Sequence, residues 1–414
     1  MKIVGLVTEY NPFHNGHKYH IEKAKEITGA DYCIAVMSGD FVQRGAPAFL
    51  PKHLRTEMAL SCGADLVLEL PVCYASGSAE FFARGAVSLL NSLGCIDYIC
   101  FGSESGDYQS LETIANVLYN EPLEYQQILQ NFLKNGDSFP VARTKALKEY
   151  FHDISFDHLL DHPNNILGIE YIKALKQLDS KIKGCTITRL VSAYHDTELS
   201  ETYSSASAIR NCFSGKDNAD QPDFTILESQ MPSCCISIMK EYFNKRFPVS
   251  VDDLSLLLKY QLLKETKESL TKYQDVTKEL ANRIINRRNE FKSFSQFCDL
   301  LKTKELTYSR ISRCLTHILL QIKTDTVDTF RQNGNCFYAR VLGFCKDSSP
   351  LLRYIKESSS IPLITKINQS EVLCDKGKEM LHQDLFASDF YESIVSDKFN
   401  IAFINEFQKQ LVIK

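Results

Sequence analysis

The chain has 414 residues and a mass of 47.1 kDa, more than one small core requires, so two or three domains are expected. Apolar residues make up 44% and charged residues 24%, which excludes low complexity and wholesale disorder. With 47 Lys and Arg against 51 Asp and Glu the net charge is -4, which excludes a uniformly basic nucleic-acid coat but leaves room for a local basic patch.

The start, Met1-Lys2-Ile3-Val4-Gly5, reads as a strand rather than an export signal, because Glu9 breaks the apolar stretch. No run approaches the ~18 apolar residues of a membrane span. The 14 cysteines are scattered, with no C-x-x-C pair. Reduced core thiols in a cytoplasmic protein are the natural reading, and spacing indicates no metal site.

The first hundred residues alternate in character. Ile3 to Thr8 is apolar, 14–28 has helical spacing, and Asp31 to Met37 is apolar again, ending in Ser38-Gly39-Asp40. A helix from Lys52 to Cys62 follows, then a strand from Ala64 to Leu70, a helix from Ser78 to Leu93, and a strand from Ile96 to Phe101. Four apolar strands separated by three helices imply parallel pairing by right-handed crossovers. The expected fold class is therefore α/β, a doubly wound parallel sheet, with ligands beyond the carboxyl ends of the strands. Residues 108–180 read as mostly helical, Lys183 to Leu190 as a fifth strand, and Ser204 to Asn211 as the start of another helix. The polar stretch Asn218–Asp223 places a boundary near 225, giving a catalytic domain over 1–225. A helical, basic region is expected over 226–330. Strand-like runs at Phe337–Phe344 and Ile361–Ile367 suggest a small C-terminal α/β element over 331–414.

The most informative segment is Thr8-Glu9-Tyr10-Asn11-Pro12-Phe13-His14-Asn15-Gly16-His17, where a strand runs into a loop that delivers H-x-G-H to a helix start. Helix amino termini expose unpaired N–H groups and a partial positive charge, so they bind phosphate. Gly16 permits close approach, and His14 and His17, three apart, can face one ligand. This composition yields the motif by chance about 0.01 times. A pair of helix-capping histidines and a two-histidine metal site are the competing readings; no convergent third metal ligand is visible.

In this position H-x-G-H resembles the signature of the nucleotidylyltransferase superfamily. A second signature of that superfamily, I-S-S-T-x-I-R, is matched by Ser205-Ala206-Ser207-Ala208-Ile209-Arg210, with Ala206 for a serine and Ser207 for the threonine. Further runs narrow the likeness: Val36-Met37-Ser38-Gly39-Asp40-Phe41-Val42-Gln43-Arg44-Gly45, Glu69-Leu70-Pro71, Phe101-Gly102-Ser103-Glu104 and Pro163-Asn164-Asn165-Ile166-Leu167-Gly168. Together they are similar to the bacterial tRNA(Met) cytidine acetate ligase family. Asp40 departs from the asparagine expected there.

The resemblance implies a two-step reaction. ATP and acetate give acetyl-adenylate and pyrophosphate, and the wobble cytidine of elongator tRNA(Met) takes the acetyl group on N4. It assigns His14, His17, Ser207 and Arg210 to the phosphates. It draws the ATP site from Val7, Thr8, Glu9, Tyr10, Asn11, Pro12, Phe13, His14, Asn15, Gly16, His17, Lys18, Tyr19 and His20, with Gly102, Asn165 and Arg189. Asn164 is a neighbour, Asp40 and Lys18 are weaker candidates, and Arg44 and Arg55 are expected at the surface or on tRNA. Mg²⁺ is compatible with a triphosphate, but no carboxylate pair in the motifs demands it.

From Lys240 to Arg313 there are 16 basic against 10 acidic residues, a net +6. Arg283, Arg287, Arg288, Lys292, Arg310 and Arg313, interleaved with Phe291, Phe294 and Tyr308, form the expected RNA contact surface. A solvated helical face is the plainer reading. Two other functions stay open: a nucleotidylyltransferase for a small phosphorylated metabolite, and a non-catalytic tRNA-binding module.

Overall fold

In the computed structural model, residues 1–152, 157–189, 205–213 and 222–414 are described. Three expected features fall outside them: Leu190 at the end of a strand, Ser204 ahead of a helix, and residues 218–221 of the polar boundary.

Among the described residues ten strands form: β1 (Ile3–Thr8), β2 (Tyr32–Ser38), β3 (Phe41–Val42), β4 (Ala46–Pro47), β5 (Leu66–Leu70), β6 (Tyr98–Ser103), β7 (Lys183–Thr188), β8 (Ala339–Phe344), β9 (Leu363–Ile364) and β10 (Val412–Ile413). The main sheet runs β10-β8-β5-β2-β1-β6-β7, with β9 also on β8. The five strands from β5 to β7 in that order are parallel, as expected. Alternate residues feed two cores: Ile3, Ile34, Val36 and Leu68 face the helices Ala79–Ser92 and Pro163–Gln177. Val4, Leu6, Ala35, Met37 and Val67 face Asn15–Thr28, Lys52–Ser61 and Ser233–Tyr242. Burial on both faces explains the near-continuous apolar runs. Gly5 sits where a Cβ would come within 2.8 Å of Leu90, so the helix Ala79–Ser92 lies directly on β1.

The chain order places β2 and β5 on one side of β1 and β6 and β7 on the other. The strand order therefore reverses between β1 and β6, and the crevice beyond their carboxyl ends is the expected ligand position.

The last segment corrects one expectation. Residues 331–414 do not stand apart as a small element, because β8 pairs antiparallel with β5 and carries β9 and β10 into the main sheet. The register sets Arg340 opposite Glu69, and the two form an ion pair at 2.9 Å. Arg340 also reaches Glu406 at 2.6 Å. Lys52, wholly buried, lies 2.7 Å from Glu69 and 2.9 Å from Glu406, and its backbone N–H donates to Asp40 at 2.8 Å. The C-terminal segment is thus fastened by charges that no pairwise sequence pattern reveals. Strand β9 is also shorter than the expected Ile361–Ile367, giving way to a turn of 3-10 helix at Ile367–Val372.

The helical region is docked through the β3–β4 hairpin. Gly45, at φ 69°, has its carbonyl bound by Ser312 Oγ at 2.6 Å and Thr316 Oγ1 at 2.8 Å. A Cβ there would overlap the Arg313 backbone, so this contact needs glycine twice over.

Replacing Lys52 with Met should leave the buried Glu69 and Glu406 carboxylates with Arg340 but without the lysine that lies between them. The expected cost is about 3–5 kcal/mol, read from urea unfolding at neutral pH. A loss below about 1 kcal/mol, the range of an exposed pair, would contradict the role given to this cluster.

Candidate active site at the end of the first strand

The loop after β1 is braced from all sides before it reaches the helix. Arg55, expected at the surface, is wholly buried, and this is a correction. Its guanidinium donates to the carbonyls of Leu50 at 3.0 Å, Glu9 at 2.6 Å and Ser38 at 3.0 Å, and to that of Gly39. It therefore ties the exits of β1 and β2 together. Arg44 is exposed, as expected. Asn11 Oδ1 accepts from the Phe49 N–H at 2.6 Å, and Glu9 Oε1 from the Gln43 N–H at 2.9 Å. The Asn15 N–H and side chain donate to the Gln230 and Ser229 carbonyls at 2.9 and 2.8 Å. Tyr10 takes φ 49°, and the Asn11–Pro12 bond is cis.

These restraints deliver the helix Asn15–Thr28 with His14 as its N-cap. The Gly16 N–H donates to His14 Nδ1 at 3.1 Å, and the His14 N–H donates to His17 Nδ1 at 3.2 Å. This is a capping box built from two imidazoles. The rings stack with centroids 3.7 Å apart. Because each Nδ1 accepts a hydrogen bond, the proton of each neutral ring is assigned to Nε2, which is left as a donor.

The surroundings keep the rings neutral. Burial pushes His14 down to about 3, with Arg189 and then Arg210 adding to it. His17 is held well below its ordinary value by burial, then by His14, Arg189 and His20. His20 is pushed down to about 4, mainly by burial and next by Arg189. Two guanidiniums therefore converge on the imidazoles from elements far apart in sequence.

Each guanidinium is positioned. Arg210, on the short helix Ala206–Asn211, donates to the Asn11 carbonyl at 2.6 Å and to Ser207 Oγ at 3.0 Å. Ser205 caps that helix by accepting from the Ala208 N–H at 3.1 Å. Arg189 follows β7 and donates to Asn164 Oδ1 at 3.3 Å. A Cβ on Gly102 would approach Arg189 Cγ to 3.1 Å, so this glycine makes room for the arginine stem. Asn165 is almost wholly buried; its Oδ1 accepts from the Glu104 and Ser105 N–H groups at 3.0 and 3.2 Å. Its Nδ2 has no hydrogen-bond partner, whereas buried donors ordinarily have one.

Glu104, just after β6, is a site residue that sequence reasoning misses. Its carboxylate accepts from Asn164 Nδ2 at 2.5 Å and from the Asn165 N–H at 3.0 Å. It caps the helix Pro163–Gln177 where the dipole favours an anion. Gln43 holds one oxygen of Glu9, Lys52 holds one oxygen of Asp40, and the two asparagines hold both oxygens of Glu104. These carboxylates do not form an open pair of the kind that would hold Mg²⁺.

The expected contact run Val7–His20 divides by position. His14 and His17 supply the donors. Tyr10 and Phe13 are core residues whose rings back His17 at 4.9 and 5.5 Å. Asn11 and Asn15 brace the loop. Lys18 lies on the exposed helix face, 3.7 Å from Glu22. Asp40 is buried against Lys52.

The basic region divides too. Arg283 donates to the Leu300 and Lys302 carbonyls at 3.3 Å, and Arg288 to those of Leu262 and Glu265 at 3.5 Å. Phe291 and Phe294 are core residues, so they are not stacking platforms. Burial lowers the Arg313 pKa from its ordinary value. Lys292 is exposed, and Arg287, paired with Glu290, and Arg310 are partly exposed.

A family model described as HIGH nucleotidyl transferase matches residues 1–405. The tRNA(Met) cytidine acetate ligase of Acetivibrio thermocellus is 41% identical over 394 residues, covering 94% of each chain. That of Clostridium acetobutylicum is 44% identical over 375 residues, covering 89% of this chain and 91% of the other. The crystal structure of Thermotoga maritima TmcAL in its apo form matches with a TM-score of 0.93 at 32% identity, over 100% of this chain and 99% of that one. The same protein bound with alpha-thio ATP matches with a TM-score of 0.91 over the same shares. On these grounds, and with both signature segments joined at one site, the chain belongs to the tRNA(Met) cytidine acetate ligase family.

Proposed function

We propose that this protein activates acetate with ATP and transfers the acetyl group to N4 of the wobble cytidine of elongator tRNA(Met). The observation that carries the reading is the stacked pair of neutral imidazoles, both Nε2–H groups left as donors, with Arg189 and Arg210 converging on them. A carboxylate needs no general base to act as nucleophile. The difficulty is to bring it against a polyanion and to hold the charge that gathers on phosphorus.

In the first step an acetate oxygen attacks the α-phosphorus, and the bond to the bridging oxygen breaks. Pyrophosphate leaves and acetyl-adenylate remains. His14 and His17 donate from Nε2 to the phosphate oxygens. Arg210 and Ser207 hold the outer phosphates, Arg189 adds charge, and Asn165 Nδ2 donates to the nucleotide. Neutral rings suit this work, since they give hydrogen bonds without a proton to lose. In the second step the cytidine amine attacks the acyl carbon, AMP leaves, and the amine's proton passes to solvent. Surface cations at Arg287, Lys292 and Arg310 hold the tRNA backbone. The cytoplasm is where such a substrate is met. No helix among the described residues is long and apolar enough to cross a membrane.

The deciding experiment is incubation with ATP, labelled acetate and bacterial tRNA, followed by nucleoside analysis. Label in N4-acetylcytidine supports the reading. Pyrophosphate release that needs a phosphorylated metabolite instead of acetate overturns it.

His17→Ala should lower acetate-dependent pyrophosphate release by about 100-fold or more, the worth of a preorganised donor, and leave tRNA affinity nearly unchanged. Equal loss of both would mean misfolding.

Arg287→Gln combined with Lys292→Gln should weaken tRNA binding and reduce its salt slope by about 2, while sparing adenylate formation. Arg288 is left intact because it holds loop carbonyls. An unchanged slope would move the RNA surface elsewhere.

The histidines also set a pH dependence. Folded, His14 and His20 bind protons only near pH 3 and 4, whereas the unfolded chain binds them near 6.5. Protons therefore favour unfolding below that value, and stability should fall as pH drops from about 6.5 toward 4. His14→Asn should flatten this decline in urea titrations at several pH values, and an unaltered slope would contradict the burial described.

A further inference from the structure

Sequence spacing offers no metal site, because it sees only neighbours. The fold brings together three thiols, two adjacent in sequence and the third 172 residues before the first of them. Cys62 ends the helix Lys52–Ser61, and Cys234 and Cys235 lie in the first turn of the helix Ser233–Tyr242. Cys62 Sγ is 3.5 Å from Cys234 Sγ and 3.7 Å from Cys235 Sγ. All three sulfurs lie within 4.8 Å of one another. Among the described residues, this is where three potential metal ligands of the cysteine, histidine or carboxylate kind converge.

The spacing has a chemical meaning. A tetrahedral zinc ion with Zn–S bonds of about 2.3 Å sets its sulfurs about 3.8 Å apart. The two contacts made by Cys62 already approach that edge length. Cys62 and Cys235 are buried, and Cys234 is half-buried, so the cluster has an apolar floor and one accessible side. We infer that Cys62, Cys234 and Cys235 form a three-thiolate site for a thiophilic divalent cation of the zinc class, with water or an added ligand in the fourth position.

Loading the site releases the thiol protons to solvent and forms three metal–sulfur bonds, with no change of oxidation state. Lys18 and Glu22, on the helix that begins at the histidine pair, lie within electrostatic reach of Cys62. The two elements joined by the metal are those that frame the catalytic loop. Arg55, on the Cys62 helix, holds the Glu9 carbonyl. Ser229 and Gln230, just ahead of the Cys234 helix, hold Asn15. A metal here would staple both supports of that loop without touching the reacting groups.

The test is a Co(II) titration of the full-length protein, reduced and metal-free, under anaerobic conditions. One equivalent per chain should raise an intense sulfur-to-cobalt charge-transfer band with tetrahedral ligand-field bands, and Zn(II) should displace it. Cys62→Ser should weaken binding by more than the roughly 10–100-fold that outer ligand-orienting groups are worth. Cys234→Ser, at the more accessible position, gives the same reading if Cys62→Ser does not fold. Zn(II) should raise the unfolding temperature of the parent protein and not that of either variant. No charge-transfer band in the parent, or a band that survives both substitutions, overturns the assignment. So does a Cys62–Cys234 disulfide in protein purified anaerobically.

Discussion

Everything the site can do depends on the reciprocal cap between two imidazoles. A helix start leaves backbone N–H groups without partners, and a serine or aspartate oxygen usually takes one of them. Here His14 Nδ1 takes the Gly16 N–H, and His17 Nδ1 takes the His14 N–H. The local requirement of the helix thus chooses the tautomer of both rings. It also chooses their direction, since a ring anchored at Nδ1 presents Nε2. A helix cap and a phosphate contact are competing readings of H-x-G-H, yet the cap leaves Nε2 of both rings as donors, so the one does not exclude the other.

That cap needs a fixed approach, and the structure devotes unusual buried chemistry to it. Arg55 gathers carbonyls from the ends of two parallel strands. Tyr10 and Phe13 wall the rings from behind. Arg210 reaches the Asn11 carbonyl from a helix two hundred residues on. On the other side of the crevice Glu104 couples β6 to the helix Pro163–Gln177, which places Arg189 and Asn165. Preorganisation of this kind lets the donors meet growing charge without first rearranging.

The sheet was legible because its signal is local. Strands such as Ile3–Thr8 and Leu66–Leu70 are buried on both faces and read as unbroken apolar runs, and helices between them force parallel pairing. Histidines three apart after a strand, and a serine–arginine pair at a later helix start, were legible for the same reason. What escaped was set by long-range register and by burial of charge. Arg55 carries a residue type that usually stays at the surface, and only its carbonyl partners explain its position. β8 joins the main sheet because Arg340 faces Glu69, a match that appears only once the strands are paired. The aromatic residues Phe291 and Phe294 looked like bases' partners in sequence and are core in space. The thiol cluster was invisible for the converse reason, with Cys62 172 and 173 residues from the other two members.

The account's central claim concerns where two protons sit. Nitrogen-15 NMR of histidine-labelled protein reads this directly, before and after addition of a non-hydrolysable ATP analogue at neutral pH. The account predicts neutral rings at His14 and His17, each with a bare Nδ1 and a protonated Nε2, and a marked shift of both Nε2 signals on binding. Imidazolium rings, protons on Nδ1, or Nε2 signals indifferent to the analogue would contradict it.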